Sequence, residues 1–253
     1  MLVLSPRGRQ LLIDIYGIDQ SKITVTYHGV PDTPFISSLA EAKIKLGFKS
    51  QSLIMATFGL LHQDKNIGLV LAAMRSIAKE IPQLTYLVIG KTHPLIFIRE
   101  GDKYLNNLKQ NITQFGLTDR VRFISEYLSD ADLVNYLQAS DIYITPYIHE
   151  EQYVSGTLSW AIGLGMCVIS TPYAYALELL SDGRGFLFPF NDDQSLSSII
   201  MNLSNDPDLL QRTRRRAYDF GRRMIWPQVV EEILSVFEKV LFDAQKRIHS
   251  SSN

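Results

Sequence analysis

Along the middle of the chain, short apolar runs recur without polar alternation, at residues 53–58, 84–89, 121–124, 142–145 and 167–170. Between them lie stretches in which apolar positions return every three to four residues, the period of a helix. Strands that are apolar on both faces and separated by helices form a parallel sheet covered on both sides. The pattern predicts an α/β fold, a doubly wound parallel sheet. Ligands of such sheets lie beyond the carboxyl ends of the strands. The loops at 59–66, 90–94, 125–128, 146–157 and 171–178 are therefore where chemistry is expected.

The flanking elements read in order. Ser5 and Pro6 open a helix to Tyr16, with Gly17 as its stop. Residues 22–27 form a short strand, 28–32 a linker-like break, and 37–46 a helix stopped by Gly47. Further helices are expected to about residue 79, over 101–115, from Ser129 to Ala139, and over 192–203 and 208–223. Asp132 stands at the capping-box position of the helix behind Ser129. Trp226-Pro227 starts a last long helix to about residue 247, and 250–253 is a polar tail.

The stretch 147–190 organises the rest. A strand stopped by Pro146 leads through a polar loop to Ser155-Gly156-Thr157, which open a helix over 158–164 closed by Gly165. A helix N-terminus leaves its first amides unpaired and carries about half a positive charge. Small residues there admit an anion, so this turn is a seat for a phosphate. The plain alternative is a hydroxyl N-cap with no ligand.

Composition narrows the classes. The 253 residues suffice for one large or two small domains, and 46% hydrophobic with 20% charged residues is ordinary for a globular protein. A net charge of −1 supplies no field for nucleic acid, so no nucleic-acid partner is expected. Cys167 is the only cysteine, which excludes a disulfide scaffold or a cysteine metal cluster and fits a reducing compartment. With no secretory leader at Met1 and no apolar run long enough for a bilayer, a cytoplasmic location is expected. No G-x-G-x-x-G fingerprint follows the first strand, and no cofactor or metal is expected.

One ordered set of motifs goes further. It runs Tyr27-His28-Gly29-Val30-Pro31-Asp32, Phe58-Gly59-Leu60 with Lys65-Asn66, Leu87-Val88-Ile89-Gly90-Lys91-Thr92-His93-Pro94, and Ala139-Ser140-Asp141 through Pro146-Tyr147. It continues with Gln152, Ser155-Gly156-Thr157-Leu158, Ser170-Thr171-Pro172-Tyr173 and Glu178 through Gly185. In this order the set resembles the GT-B glycosyltransferases, specifically the C-terminal, nucleotide-sugar-binding half of glycosyltransferase family 4. The resemblance implies transfer of a sugar from a nucleotide-diphosphate donor to an acceptor, a glycan, lipid or small molecule, with retention and without a metal. It implies Lys65 on the diphosphate and Ser155, Gly156, Thr157 and Leu158 on the phosphates. Glu178 is implied near the donor, and the base is implied in the loop 125–128 with Glu126 and Tyr127. Gly59 belongs to the matching motif and is a candidate for the donor site, and His93, which follows a strand and a glycine, is a candidate for a hydrogen bond to phosphate or sugar. Where the family carries two glutamates, this chain has Gln152 and Trp160. Gln152 still bonds a sugar hydroxyl; a non-catalytic binding or assembly module is the alternative.

The resemblance also divides the chain. Residues 1–32 become the end of an N-terminal domain and a linker, 33–225 the nucleotide-sugar-binding domain, and 226–253 a helix crossing back with its tail. The N-terminal half is then largely absent and is expected from upstream sequence or a partner chain. Each candidate keeps a plainer alternative. Lys65 could be solvated, His93 and His62 could bond their own backbone, and Glu178 could sit in the first turn of a helix. Asp130 and Asp132 have the spacing of a metal-dependent sugar-transferase motif, but capping accounts for them better. The basic run Arg212, Arg214, Arg215, Arg216, Arg222 and Arg223 is expected on a solvated surface, the alternative being contact with an acidic membrane surface.

Overall fold

The computed structural model describes residues 1–250, so the expected tail beyond Ser250 lies outside the described residues. The elements are β1 (Leu2–Val3), α1 (Pro6–Tyr16), β2 (Thr24–Val25), α2 (Ala40–Lys45), β3 (Leu53–Phe58), α3 (Ile67–Ile77), β4 (Leu84–Ile89), α4 (Pro94–Glu100), α5 (Lys103–Gln114) and β5 (Val121–Ile124). They continue with α6 (Asp130–Gln138), β6 (Ile142–Thr145), α7 (Gly156–Gly163), β7 (Cys167–Ser170), α8 (Ala174–Leu179), β8 (Gly185–Leu187), α9 (Asp193–Asn205), α10 (Pro207–Gly221) and α11 (Trp226–Ser250). The apolar runs became β3 to β7 with the expected bounds. The strand expected at 22–27 shrinks to Thr24–Val25, because Asp19 accepts from the Ser21 amide and winds Gln20–Lys22 into a 3-10 turn. The helix expected at 37–46 shortens to Ala40–Lys45. Helix α4 begins at the end of the loop expected at 90–94 and fills 95–100, where no element was expected: none of its residues is buried, so no apolar stripe announced it.

Strands β3 to β8 form one parallel sheet in the order β5-β4-β3-β6-β7-β8. Winding runs outward one way from β3 and the other way from β6. Their junction, with Ala56 opposite Tyr143, is the point where such sheets open a crevice. Alternate residues of β3 face opposite sides. Leu53 and Met55 pack in one core with α3, α5 and α9, while Ile54, Ala56 and Phe58 pack in the other with α6, α7 and α8.

Two polar clamps lock the layers. At the amino ends of β3 and β6, buried Lys43 meets Asp141 at 2.8 Å and donates to the Ser52 carbonyl, while Asp141 accepts from the Ile54 amide at 2.7 Å. The second clamp uses the basic run, which is not a solvated face throughout. Buried Arg214 donates to the Gly165 carbonyl at 3.2 Å, and Arg222 donates to Gly163 at 2.6 Å and pairs with Asp32 at 2.7 Å. Both guanidiniums sit at the carboxyl end of α7, where cations are favoured.

The chain enters and leaves this body side by side. Val30 accepts from the Trp226 amide at 3.0 Å and donates to the Met224 carbonyl at 2.8 Å. Strands β1 and β2 pair in a small parallel sheet, and Thr26 donates to Glu232 of α11 at 3.0 Å.

Removing one partner of a buried pair strands the other charge, which costs about 3–5 kcal/mol. Lys43→Ala is therefore expected to lower unfolding stability by that amount in a urea titration. A loss within experimental error would show that the pair does not tie α2 to the sheet.

Candidate anion-binding site

The crevice between β3 and β6 is bordered by the loops that follow those strands. After β3, a 3-10 turn over Gln63–Lys65 and Asn66 at φ 47° fold Lys65 back over the strand end. Its ammonium donates to the Phe58 carbonyl at 3.1 Å and lies 4.9 Å from the centre of the Tyr147 ring. Lys65 is only 4% exposed, so it is not the solvated lysine of the plainer expectation. Among the described residues no carboxylate comes within 4 Å of it. The adjacent Asp64 faces His62 and His149 instead, 3.4 Å from each. A buried charge without a counter-ion is costly, so this ammonium is poised for an anion.

Gly59 lies between Lys65 and α7. A Cβ there would stand 3.1 Å from both Lys65 Nζ and Thr157 Cγ2, so the ammonium and the first turn of α7 face each other across a glycine at φ 117°. Ser155 caps α7 with its hydroxyl, which accepts from the Leu158 amide at 3.2 Å. The amides of Gly156 and Thr157 take no acceptor among the described residues. Helix α8 begins on the same rim but is already filled: Ala174 and Tyr175 donate to the loop carbonyls of Glu150 and Gln152 at 2.9 and 3.0 Å. Only the α7 terminus of the two is open.

Beneath the seat lies a tyrosine pair. Burial pushes the Tyr147 phenol up. The Lys65 ammonium and hydrogen bonds with Lys65, Gln152 and Thr157 outweigh it, leaving Tyr147 below the usual tyrosine range. Tyr143 is fully buried, and burial holds it well above that range, with Thr157 opposing.

His28 was read only as part of a linker motif, yet its Nε2 lies 2.9 Å from where a Cβ on Gly156 would stand. Glycine at 156 thus makes room for an imidazole beside α7. The signal was present in Tyr27-His28-Gly29, but no periodicity connects residue 28 to residue 156.

The other candidates divide. Gln152 donates to the Val154 carbonyl at 3.3 Å and reaches Tyr147, so it belongs to the cluster. His93 accepts from the Leu95 amide at 3.2 Å and caps α4, the backbone role held open for it. Its ring meets His62 edge-on at 6.2 Å. Burial lowers the His62 pKa, with Asp64 opposing. Glu126 and Tyr127 follow the edge strand β5 and are exposed, Tyr127 by 90%. Beside that loop lies a cavity of about 390 Å³ lined by Lys91, Thr92, Pro94, Phe97, Leu105 and Ser125, among others. Glu178 is the fifth of six residues in α8, not in its first turn. It is half-buried, and burial raises its pKa while the Arg7 amide and charge oppose. Its carboxylate feels Arg7, not Lys65, and its Oε2 is buried with no hydrogen-bond partner among the described residues. Ser129 and Asp132 exchange two hydrogen bonds at 2.6 and 3.1 Å, so this pair caps α6. Among the described residues no group of three or more His, Cys, Asp or Glu is arranged to hold a metal ion.

The structure therefore brings Gly59, Lys65, Gln152, Ser155, Gly156, Thr157 and Leu158 together. It sets His93 and the loop of Glu126 and Tyr127 farther along the same sheet edge and turns Glu178 toward α1. Residues 40–220 match the family of glycosyl transferases group 1. The chain belongs to that family.

Its group 1 relatives include mannosylfructose-phosphate synthase of Agrobacterium fabrum, 24% identical over 244 residues, which cover 94% of this chain and 52% of that enzyme. The Escherichia coli UDP-Gal:alpha-D-GlcNAc-diphosphoundecaprenol alpha-1,3-galactosyltransferase is also 24% identical, over 81% of this chain and 51% of that one. The chain spans about half the length of the curated relatives it matches. Among solved structures, Anabaena HepE in complex with UDP superposes with a TM-score of 0.78 at 20% identity, over 94% of this chain and 63% of that one. A glycosyltransferase from Rickettsia africae gives the same score at 21% identity, over 95% and 63%. These GT-B neighbours share the fold.

Raising pH while following tyrosinate absorbance is expected to reveal one phenol ionising ahead of the ordinary range. Tyr147→Phe should abolish that early phase. Its persistence in the variant would contradict the pairing of Tyr147 with the Lys65 ammonium.

Proposed function

We propose that this chain is the donor-binding part of a glycosyltransferase that moves a sugar from a nucleotide-diphosphate sugar to an acceptor. One observation carries the reading: a buried ammonium, without a carboxylate partner among the described residues, faces the open N-terminus of α7 across Gly59. As the bond between sugar and diphosphate breaks, negative charge grows on the leaving phosphate. Lys65 and the amides of Gly156 and Thr157 are fixed in advance to receive it, the arrangement that stabilises such charge best. These groups do the work a metal would otherwise do, which supports a metal-independent reaction. Retention rests on the resemblance alone.

Gln152, beside Tyr147, is the candidate for the sugar, and the loop with Glu126 and Tyr127 for the base. Glu178 serves to order the segment around Arg7 unless the donor moves it. UDP in the HepE structures supports a uridine nucleotide as first probe. The acceptor would be held by a further domain, supplied upstream or by a partner chain. Its seat is the exposed stripe Val230, Leu234, Phe237 and Leu241 on α11, whose spacing keeps one apolar face. No helix among the described residues is long and apolar enough to cross a membrane. A cytoplasmic location goes with the lone, buried Cys167.

A second reading, a non-catalytic nucleotide-binding module, is favoured by Trp160, which packs against Phe58 at 6.2 Å where the family carries a glutamate. Release of sugar from a nucleotide sugar by this chain with its acceptor-holding domain would eliminate it. For the main reading, calorimetric titration with UDP is expected to show binding. Lys65→Met should weaken it about ten- to a hundredfold, as loss of a charged hydrogen bond does. No heat at millimolar UDP would sink the proposal.

A further inference from the structure

We infer that His28 is a second cationic ligand of the diphosphate, and that it takes up a proton when the anion arrives. This rests on reading the crevice as a diphosphate site. The argument begins with the tautomer. His28 Nδ1 lies 3.0 Å from the Gly29 carbonyl oxygen, which can only accept, so Nδ1 carries the hydrogen. In the neutral ring Nε2 then bears a lone pair, and that atom is the one against Gly156, the first residue of α7.

With the crevice empty, a lone pair beside the positive end of a helix is well placed. An incoming phosphate changes the balance. Its oxygens would meet the lone pair with repulsion, while a protonated Nε2 would donate a charge-assisted hydrogen bond. A nearby negative charge favours the imidazolium. Imidazole is the side chain whose charge a neighbouring anion most readily changes near neutrality.

The surroundings leave the anion as the natural counter-ion. The ring contacts are the Gly29 carbonyl, Gly156 of α7 and the Trp226 ring of α11 at 6.4 Å. No carboxylate lies within 4 Å of it among the described residues. The charges on adjoining elements face other residues. Glu232 of α11 accepts from Thr26, Glu178 of α8 faces Arg7 and Tyr27, and Arg223 faces Tyr27 and Phe220. Lys65 meets Thr157 beside Gly59, whereas His28 stands against Gly156. The first turn of α7 thus has an ammonium at one of its first two residues and an imidazole at the other, two groups for two phosphates.

The test titrates the chain with UDP and with inorganic pyrophosphate, slightly above neutral pH, in buffers of low and high ionisation enthalpy. Wild type is expected to take up roughly half to one proton more per bound anion than His28→Asn or His28→Gln, and to bind about tenfold tighter. In wild-type protein, the midpoint of the His28 ring in an NMR titration should move upward on adding pyrophosphate. UDP binding with neither excess uptake nor a shifted midpoint overturns the inference and leaves the donor reading standing. Pyrophosphate-linked uptake without UDP binding upholds His28 and overturns the nucleotide reading. Binding of neither anion overturns both.

Discussion

The uncompensated charge of Lys65 is the constraint on which the site depends. An ammonium buried to this degree is tolerated only where its neighbours leave room for a partner of opposite charge. Every nearby feature bears on that. The 3-10 turn swings the side chain inward, Asp64 is drawn off by two histidines, and Tyr147 offers a ring face and a phenol in place of a carboxylate. Gly90 is part of the same construction. A Cβ on it would lie 2.0 Å from the Gly59 carbonyl, so the ends of β3 and β4 can close up only around a glycine at φ 136°.

Helix α7 is the other half of the device, and its two ends are treated oppositely. Arg214 and Arg222 cover the carbonyls at its carboxyl end, and a Cβ on Gly221 of α10 would lie 2.7 Å from the Gly163 Cα, too close for a side chain. The helix is thereby held from behind, while its first amides are left to the crevice. A fixed dipole aimed at a fixed ammonium needs no rearrangement when an anion enters. That is why the basic run, striking as a charge cluster in sequence, belongs to structure rather than to a lipid surface at Arg214 and Arg222.

Much of this was legible before any coordinates. Parallel strands buried on both faces announce themselves as unbroken apolar runs, so β3 to β7 were read to the residue. Ser155 and Thr157 declared a capped helix start by residue type. Other features left no local trace. Helix α4 is apolar but exposed, so periodicity was silent, and β8 is three residues in a stretch that reads as turn. The burial of Lys65 follows from a left-handed Asn66, which composition does not reveal. The proximity of His28 to Gly156 is a product of topology across more than a hundred residues of chain. Glu178 shows the converse: its motif was clear, but the packing of Arg7 and Tyr27 decided which way it turned.

The bridge between Val30 and Trp226 has a mechanical corollary. Two hydrogen bonds zip the incoming and outgoing chain into one short ribbon on the sheet body. The segment before Val30 and the start of α11 thereby share one anchorage, and neither can be loosened there without loosening the other. The imidazole of His28 sits two residues from that ribbon, so the footing of the crevice mouth is laid by both ends of the chain at once.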